Sequence, residues 1–136
     1  MALSVVVKLL DRGEIVLIET GARHWDAAAV RRALRGASWH DMSTDPGYSD
    51  FVTDLDAVSA RRLYEELLDG YHKWIALYED IIASHTNKGE IEAADSYAKV
   101  CDEDKSQLTA LTQIVERAEA EGLKVRILLE EWSSGT

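Results

Sequence analysis

The pattern of hydrophobic and polar positions divides the chain into strand-like runs near its ends and two long helical stretches between them. Aliphatic and β-branched residues fill 3–10 and 14–19, which is typical of strands. The residues between these runs include Gly13, which can adopt a positive φ, so we predict a β-hairpin. Residues 123–129 alternate apolar side chains with basic ones, which indicates a half-buried strand.

Two segments, 57–84 and 90–121, carry apolar residues at spacings of three and four, which predicts amphipathic helices. Gly70 lies inside the first segment, where a glycine costs about 1 kcal/mol relative to alanine. We therefore expect either a close helix–helix contact or a local kink there. The apolar stripe of the second segment thins over 101–108, so this segment is either one helix or two helices in line.

The remaining chain is assigned to shorter elements. Residues 25–35 have the composition of a helix that stops at Gly36. A loop follows over 37–50, and 51–55 could form a third strand.

This order of elements predicts an α+β fold, built as one domain over residues 1–136. A small, mainly antiparallel sheet, made of the N-terminal β-hairpin and the C-terminal strand, packs against a long helical hairpin. Helices of this length measure about 42 and 48 Å, whereas the strands cover only about 20–26 Å. The helical hairpin should therefore overhang the sheet. Because large uncovered apolar surfaces are rare on soluble monomers, we expect a homodimer or higher oligomer built partly on it.

Composition and charge narrow the classes of function. The chain has 136 residues, of which 46% are hydrophobic and 29% charged, as in a folded domain. Its net charge is −10, and nine basic and twenty-one acidic residues follow residue 40. This acidity argues against nucleic acid as a partner. The apolar runs are too short to span a membrane, and the absence of a signal-peptide pattern together with a single cysteine favours the cytoplasm.

The residues that could carry chemistry form no known motif. The four histidines and Cys101 lack the paired spacing of a metal site, so we predict neither a metal nor another cofactor. Cys101 lies on the apolar face of its helix beside carboxylates, and we expect a core residue whose thiol pKa is raised. Arg31, Arg32 and Arg35 could contact an anion, but charges at a helix end are usually solvated.

The most unusual segment is Asp41–Asp56, which holds five aspartates, aromatic residues and no basic residue. Its spacing does not fit an EF-hand. It is either a solvated loop anchored by its aromatic side chains or a docking surface, in which aromatic residues supply affinity and carboxylates supply steering. The candidate partner-binding residues are Trp39, His40, Asp41, Asp45, Tyr48, Asp50 and Asp54.

Three functions remain open from the sequence. The first is an acidic, non-catalytic protein-binding module (an inhibitor, immunity-type protein or adaptor) that docks a basic partner surface. The second is a structural or regulatory homodimer that pairs through its helical hairpin. The third is a small enzyme that uses His40 with Asp41 or another carboxylate.

Overall fold

The protein folds as an antiparallel five-stranded sheet packed against two long helices, which confirms the predicted α+β class. The computed structural model describes residues 2–12, 14–41 and 48–132. The strand order is β2-β1-β5-β4-β3. In chain order the elements are β1 (Ala2–Asp11), β2 (Ile15–Gly21), α1 (Ala27–Ala33), β3 (His40–Asp41), β4 (Tyr48–Leu55), α2 (Ala57–Asn87), α3 (Ile91–Glu121) and β5 (Lys124–Trp132).

The predicted N-terminal β-hairpin is confirmed as β1 paired with β2. The pairing runs to Asp11 opposite Ile15, with a bulge at Leu9 and Leu10. Arg12 has a φ of 54°, so a non-glycine residue adopts the left-handed conformation at this turn. Gly13, to which the sequence assigned that conformation, lies outside the described residues.

Only one face of the sheet is covered by the helices. Strand residues alternate between the two faces. The buried strand residues of the core cluster are Val5, Val7 and Leu9 in β1, Leu55 in β4, and Val125, Ile127 and Leu129 in β5. These side chains form one core cluster with apolar residues of all three helices.

The two long helices are continuous, with a side-chain cap at the N-terminus of α2 and a glycine cap at the C-terminus of α3. The carboxylate Oδ1 of Asp56 accepts a hydrogen bond from the Ser59 backbone N–H at 2.8 Å, which caps the N-terminus of α2. Gly122 ends α3 in the left-handed conformation with a φ of 67°. Helix α3 runs through 101–108 without a break, so the alternative of two helices in line is wrong.

Gly70 is helical, but its close contact is with a loop rather than another helix. A Cβ built at Gly70 would lie 3.0 Å from the backbone carbonyl oxygen of His24. The missing side chain therefore lets the segment between β2 and α1 approach α2 closely.

The extent of β4 and the presence of β3 differ from the sequence-based prediction. Strand β4 begins at Tyr48, and His40 and Asp41 pair with Val52 and Phe51, so both ends of the predicted 37–50 loop belong to the sheet. A strand of two residues is too short to show an alternation of hydrophobic and polar positions. Only its pairing with β4 defines β3.

The helical hairpin overhangs the sheet, as predicted. Among the described residues, the core cluster and the apolar residues packed on it extend to Ile75 in α2 and Leu108 in α3. The turns beyond them, residues 76–107, add about 18 Å of α2 and about 26 Å of α3. Within this range, residues 103–107 contact the segment between β2 and α1. We call residues 76–107 the projecting segment.

Candidate functional site

The predicted partner-binding residues lie in or beside β3 and β4, apart from one that is not described. Trp39 is half-buried and packs against the core cluster. Asp45 lies outside the described residues. Tyr48 and Asp50 are in β4, but their side chains are also outside the described part of the chain. Their role in docking stays a prediction.

His40 and Asp41 are exposed, but the register places them on opposite faces of the sheet. His40 pairs with Val52 and Asp41 with Phe51, and successive residues of a strand point to opposite sides. The two side chains therefore do not converge on one substrate position, so His40 and Asp41 do not form a catalytic pair. An enzymatic site that uses His40 with another carboxylate stays a prediction.

Asp54 is held in an ion pair. Its two carboxylate oxygens accept hydrogen bonds from Nε and Nη2 of Arg126 in the neighbouring strand, at 2.8 and 3.1 Å. On the other side of Arg126, Lys8 of β1 pairs with it across the sheet. The Lys8 ammonium group in turn lies 3.8 Å from the carboxylate of Glu19 in β2. This row across the uncovered face balances two carboxylates with two cations, so Asp54 adds little free negative charge for a basic partner.

A cleft of about 960 Å³ opens beside β4, where the end of α1 meets the start of α2. It is lined by His40, by Val52 and Leu128 of the uncovered sheet face, and by Ser38 and Ser59. Basic residues outnumber acidic ones along its wall, although the whole chain is acidic. The charged lining residues are Lys8, Arg35, Asp54, Asp56, Arg62, Lys124 and Arg126.

A buried carboxylate that the sequence did not reveal lies in α3, outside the lining of the cleft. Asp104 has no exposed surface. It accepts hydrogen bonds from Nε2 of His24 at 2.6 Å and from Nη1 of Arg23 at 3.1 Å. Arg23 also binds the exposed Glu103 at 2.7 Å. The hydrogen bond of His24 and the two ion pairs of Arg23 fasten the segment between β2 and α1 to the helical hairpin.

Neighbouring hydrogen bonds continue this attachment. The Tyr71 hydroxyl donates to Oε1 of Gln107 at 2.7 Å, and the Arg23 backbone N–H donates to the same oxygen at 3.0 Å. Burial raises the pKa of Tyr71 well above its ordinary value, so the hydroxyl stays a donor. Asp104 follows the buried Cys101 by three residues and precedes Leu108 by four. Asp104 therefore occupies an apolar position in the hydrophobic stripe of α3, and this placement was the sequence signal that could have revealed a buried carboxylate.

Aromatic side chains form a continuous row from this cluster along the helical hairpin. The His24 ring stacks on Trp74, with centroids 5.2 Å apart and planes 13° apart. Trp74 contacts Tyr78, Tyr78 contacts Tyr97, and Tyr97 stacks on His85, with centroids 5.5 to 6.2 Å apart. We call these five side chains the aromatic row.

The outer parts of this region are exposed. Trp74 is 44% exposed, and Leu77 on the next turn of α2 is 46% exposed. Tyr97 is also exposed. The projecting segment carries eight acidic residues and three lysines. It thus combines apolar side chains open to solvent with a strong excess of negative charge.

Cys101 is confirmed as a core residue. It is buried in α3, and burial, more than the neighbouring carboxylates, raises the pKa of its thiol. Such a thiol is a poor nucleophile.

Two further findings concern metals and membranes. The described residues contain no cluster of three or more side chains arranged to hold a metal ion. Neither long helix, over the part of the chain that the structure describes, has a stretch apolar enough to cross a membrane.

Comparison of the chain with protein-family models, with curated proteins and with solved structures finds no match to any of them.

Proposed function

We propose that the protein is a non-catalytic, acidic protein-binding module that acts in the cytoplasm and docks a partner with a basic surface through the projecting segment and Trp74. The observation that carries this proposal is the exposed aromatic and aliphatic surface that the helical hairpin holds beyond the sheet. Exposed apolar surface framed by polar residues is the usual form of a protein-interaction site.

The aromatic row gives this surface anchoring residues that are already ordered. Trp74 is held between the rings of His24 and Tyr78, and His24 is itself fixed by the buried Asp104. A side chain that is ordered before binding loses less conformational entropy on association. Trp and Tyr are also the residue types most often found as binding hot spots.

Charge favours a basic partner over a second copy of this chain. The projecting segment carries eight acidic residues and three lysines, so pairing two such segments would bring like charges together, whereas a basic surface would be attracted. Several of these carboxylates are already in ion pairs, such as Glu79 with Lys105 at 3.3 Å. Asp80, Glu92, Asp95 and Asp102 are exposed and available for steering.

The test compares two substitutions of exposed aliphatic residues in α2. Leu77→Ser alters the proposed docking surface, and Val58→Ser alters a residue that is 69% exposed near the start of the same helix, outside it. Each protein is immobilised and exposed to lysate of the source cell, and the captured protein is identified by mass spectrometry, purified and measured by surface plasmon resonance. We expect a partner with a basic surface that dissociates about tenfold faster from Leu77→Ser, while Val58→Ser matches the wild type.

A second pair of variants tests the charges. Glu92→Gln with Asp95→Asn should slow association and weaken its dependence on salt, because these carboxylates act at long range. Glu65→Gln with Glu116→Gln makes the same change in net charge outside the projecting segment and should have a smaller effect. A partner insensitive to Leu77→Ser would refute the proposed surface. Sedimentation at twice the 15.2 kDa mass, abolished by Leu77→Ser, would assign the surface to homodimerisation instead.

A further inference from the structure

We propose that the cleft beside β4 binds a small organic phosphate, such as a nucleotide, at a site separate from the protein-docking surface. The cleft measures about 960 Å³, which is within the range of small-molecule sites. Its wall combines cationic groups with hydroxyl and apolar groups, which suits a ligand that has a charged end and an uncharged body.

The basic side chains of the cleft fall into two groups. Arg126 and Lys8 are matched with Asp54 and Glu19 on the uncovered sheet face. The side chains of Arg35, Arg62 and Lys124 form no hydrogen bond or ion pair with any group in the described parts of the chain (2–12, 14–41 and 48–132).

Asp56, the other carboxylate of the cleft wall, caps the N-terminus of α2 by accepting a hydrogen bond from the Ser59 backbone N–H. Hydrogen bonding to Ser59 lowers the pKa of Asp56, and the positive charges of Lys124 and Arg62 lower it further. Arg62 and Lys124 line the same cleft as this carboxylate, so their charges act on one region of its wall.

The three cations come from different parts of the fold. Arg35 follows α1, Arg62 is in the second turn of α2, and Lys124 begins β5. The three exposed cations around one cavity form a positive region that attracts an anion. Guanidinium groups bind phosphate oxygens in pairs, and an ammonium group adds a point charge. A ligand with two or more negative charges therefore matches this wall better than a single carboxylate does.

The remaining lining supports an organic body on the phosphate. Val52, Leu128 and Ala37 offer apolar surface, while Ser38 and the exposed His40 offer polar groups. An inorganic phosphate alone would fill only a small part of the cleft. The inference does not depend on the proposed protein docking, because the docking residues Trp74 and Leu77 are absent from the cleft lining.

The test titrates the full chain with ATP, and separately with adenosine, at low ionic strength, and follows binding by calorimetry and by NMR shifts of backbone amides. We expect ATP to bind and to shift amides of the cleft, and adenosine to bind at least about tenfold more weakly, because the phosphates make the charge-assisted contacts.

Two double variants with the same change in net charge decide where binding occurs. Arg62→Gln with Lys124→Gln should weaken ATP binding about tenfold or more, since two charge-assisted contacts are lost. Lys73→Gln with Lys99→Gln removes two exposed lysines of the helical hairpin and should change binding less than about twofold. Circular dichroism confirms that each variant is folded. The proposal is overturned if ATP does not bind, if adenosine binds equally well, or if both double variants weaken ATP binding equally.

Discussion

Replacing Asp104 tests whether the buried ion-pair cluster holds the β2–α1 segment against the helical hairpin. Asp104 has no exposed surface and receives hydrogen bonds from His24 and Arg23. Removing one partner of a buried ion pair costs about 3–5 kcal/mol, because the other partner is left without compensation. Here the Arg23 side chain is 39% exposed and keeps its contact with Glu103, so its share of the loss is small.

Most of the cost therefore falls on His24, whose side chain is only 7% exposed. We expect Asp104→Ala to lower the free energy of unfolding by about 3 kcal/mol. Asp104→Asn retains the volume and one acceptor and should cost about half as much. The neighbouring Asp102 is exposed, so Asp102→Ala serves as the control and should change stability by less than about 0.5 kcal/mol.

The measurement is urea unfolding at neutral pH, followed by circular dichroism and by tryptophan fluorescence. The two probes report on the helices and on the surroundings of the tryptophans. A double-mutant cycle between Asp104→Ala and His24→Ala should give a coupling of about 1 kcal/mol or more, because the residues are in direct contact. If Asp104→Ala were no more destabilising than Asp102→Ala, the cluster would contribute nothing to stability and the reasoning would be refuted.

Three further predictions concern packing and capping. Trp39→Ala should lower the free energy of unfolding by about 2 kcal/mol in urea melts, less than for a fully buried tryptophan, because Trp39 is half-buried against the core. Gly70→Ala should fail to gain the roughly 1 kcal/mol that alanine offers in a helix, because the new Cβ meets the His24 carbonyl at 3.0 Å. Asp56→Ala should destabilise the protein at neutral pH by removing the Ser59 cap, and the difference from wild type should shrink in acid.

The direction of the pH effect follows from the lowered pKa of Asp56. A carboxylate whose pKa is lower in the folded state stabilises the fold above its ordinary pKa of 3.8 and loses that contribution as the pH falls through the folded value. Thermal melts of wild type and Asp56→Ala, compared from neutral pH down to below 3.8, measure it. A constant difference between the two proteins would contradict this assignment. If Trp39→Ala left the stability unchanged, the packing of Trp39 against the core would be contradicted. If Gly70→Ala clearly raised the stability, the close contact between Gly70 and the His24 carbonyl would be contradicted.

The sequence by itself determined the types of the main elements and the overhang of the helical hairpin. Helical spacing over 57–84 and 90–121 predicted α2 and α3 within a few residues, because a long amphipathic stripe depends only on local periodicity. The lengths of these helices against the strands then required that the hairpin project beyond the sheet. Cys101 was recognised as a core residue for the same reason.

Only the tertiary structure decided how charged residues distant in the chain are combined. Asp104 reads as part of an acidic run, yet it is buried because Arg23 and His24, about eighty positions away, supply its partners. Likewise, Arg62 and Lys124 meet in one cleft because α2 and β5 pack side by side. Such pairings depend on long-range packing, which local periodicity does not encode, and the side chains they bring together carry both the docking surface and the anion site proposed above.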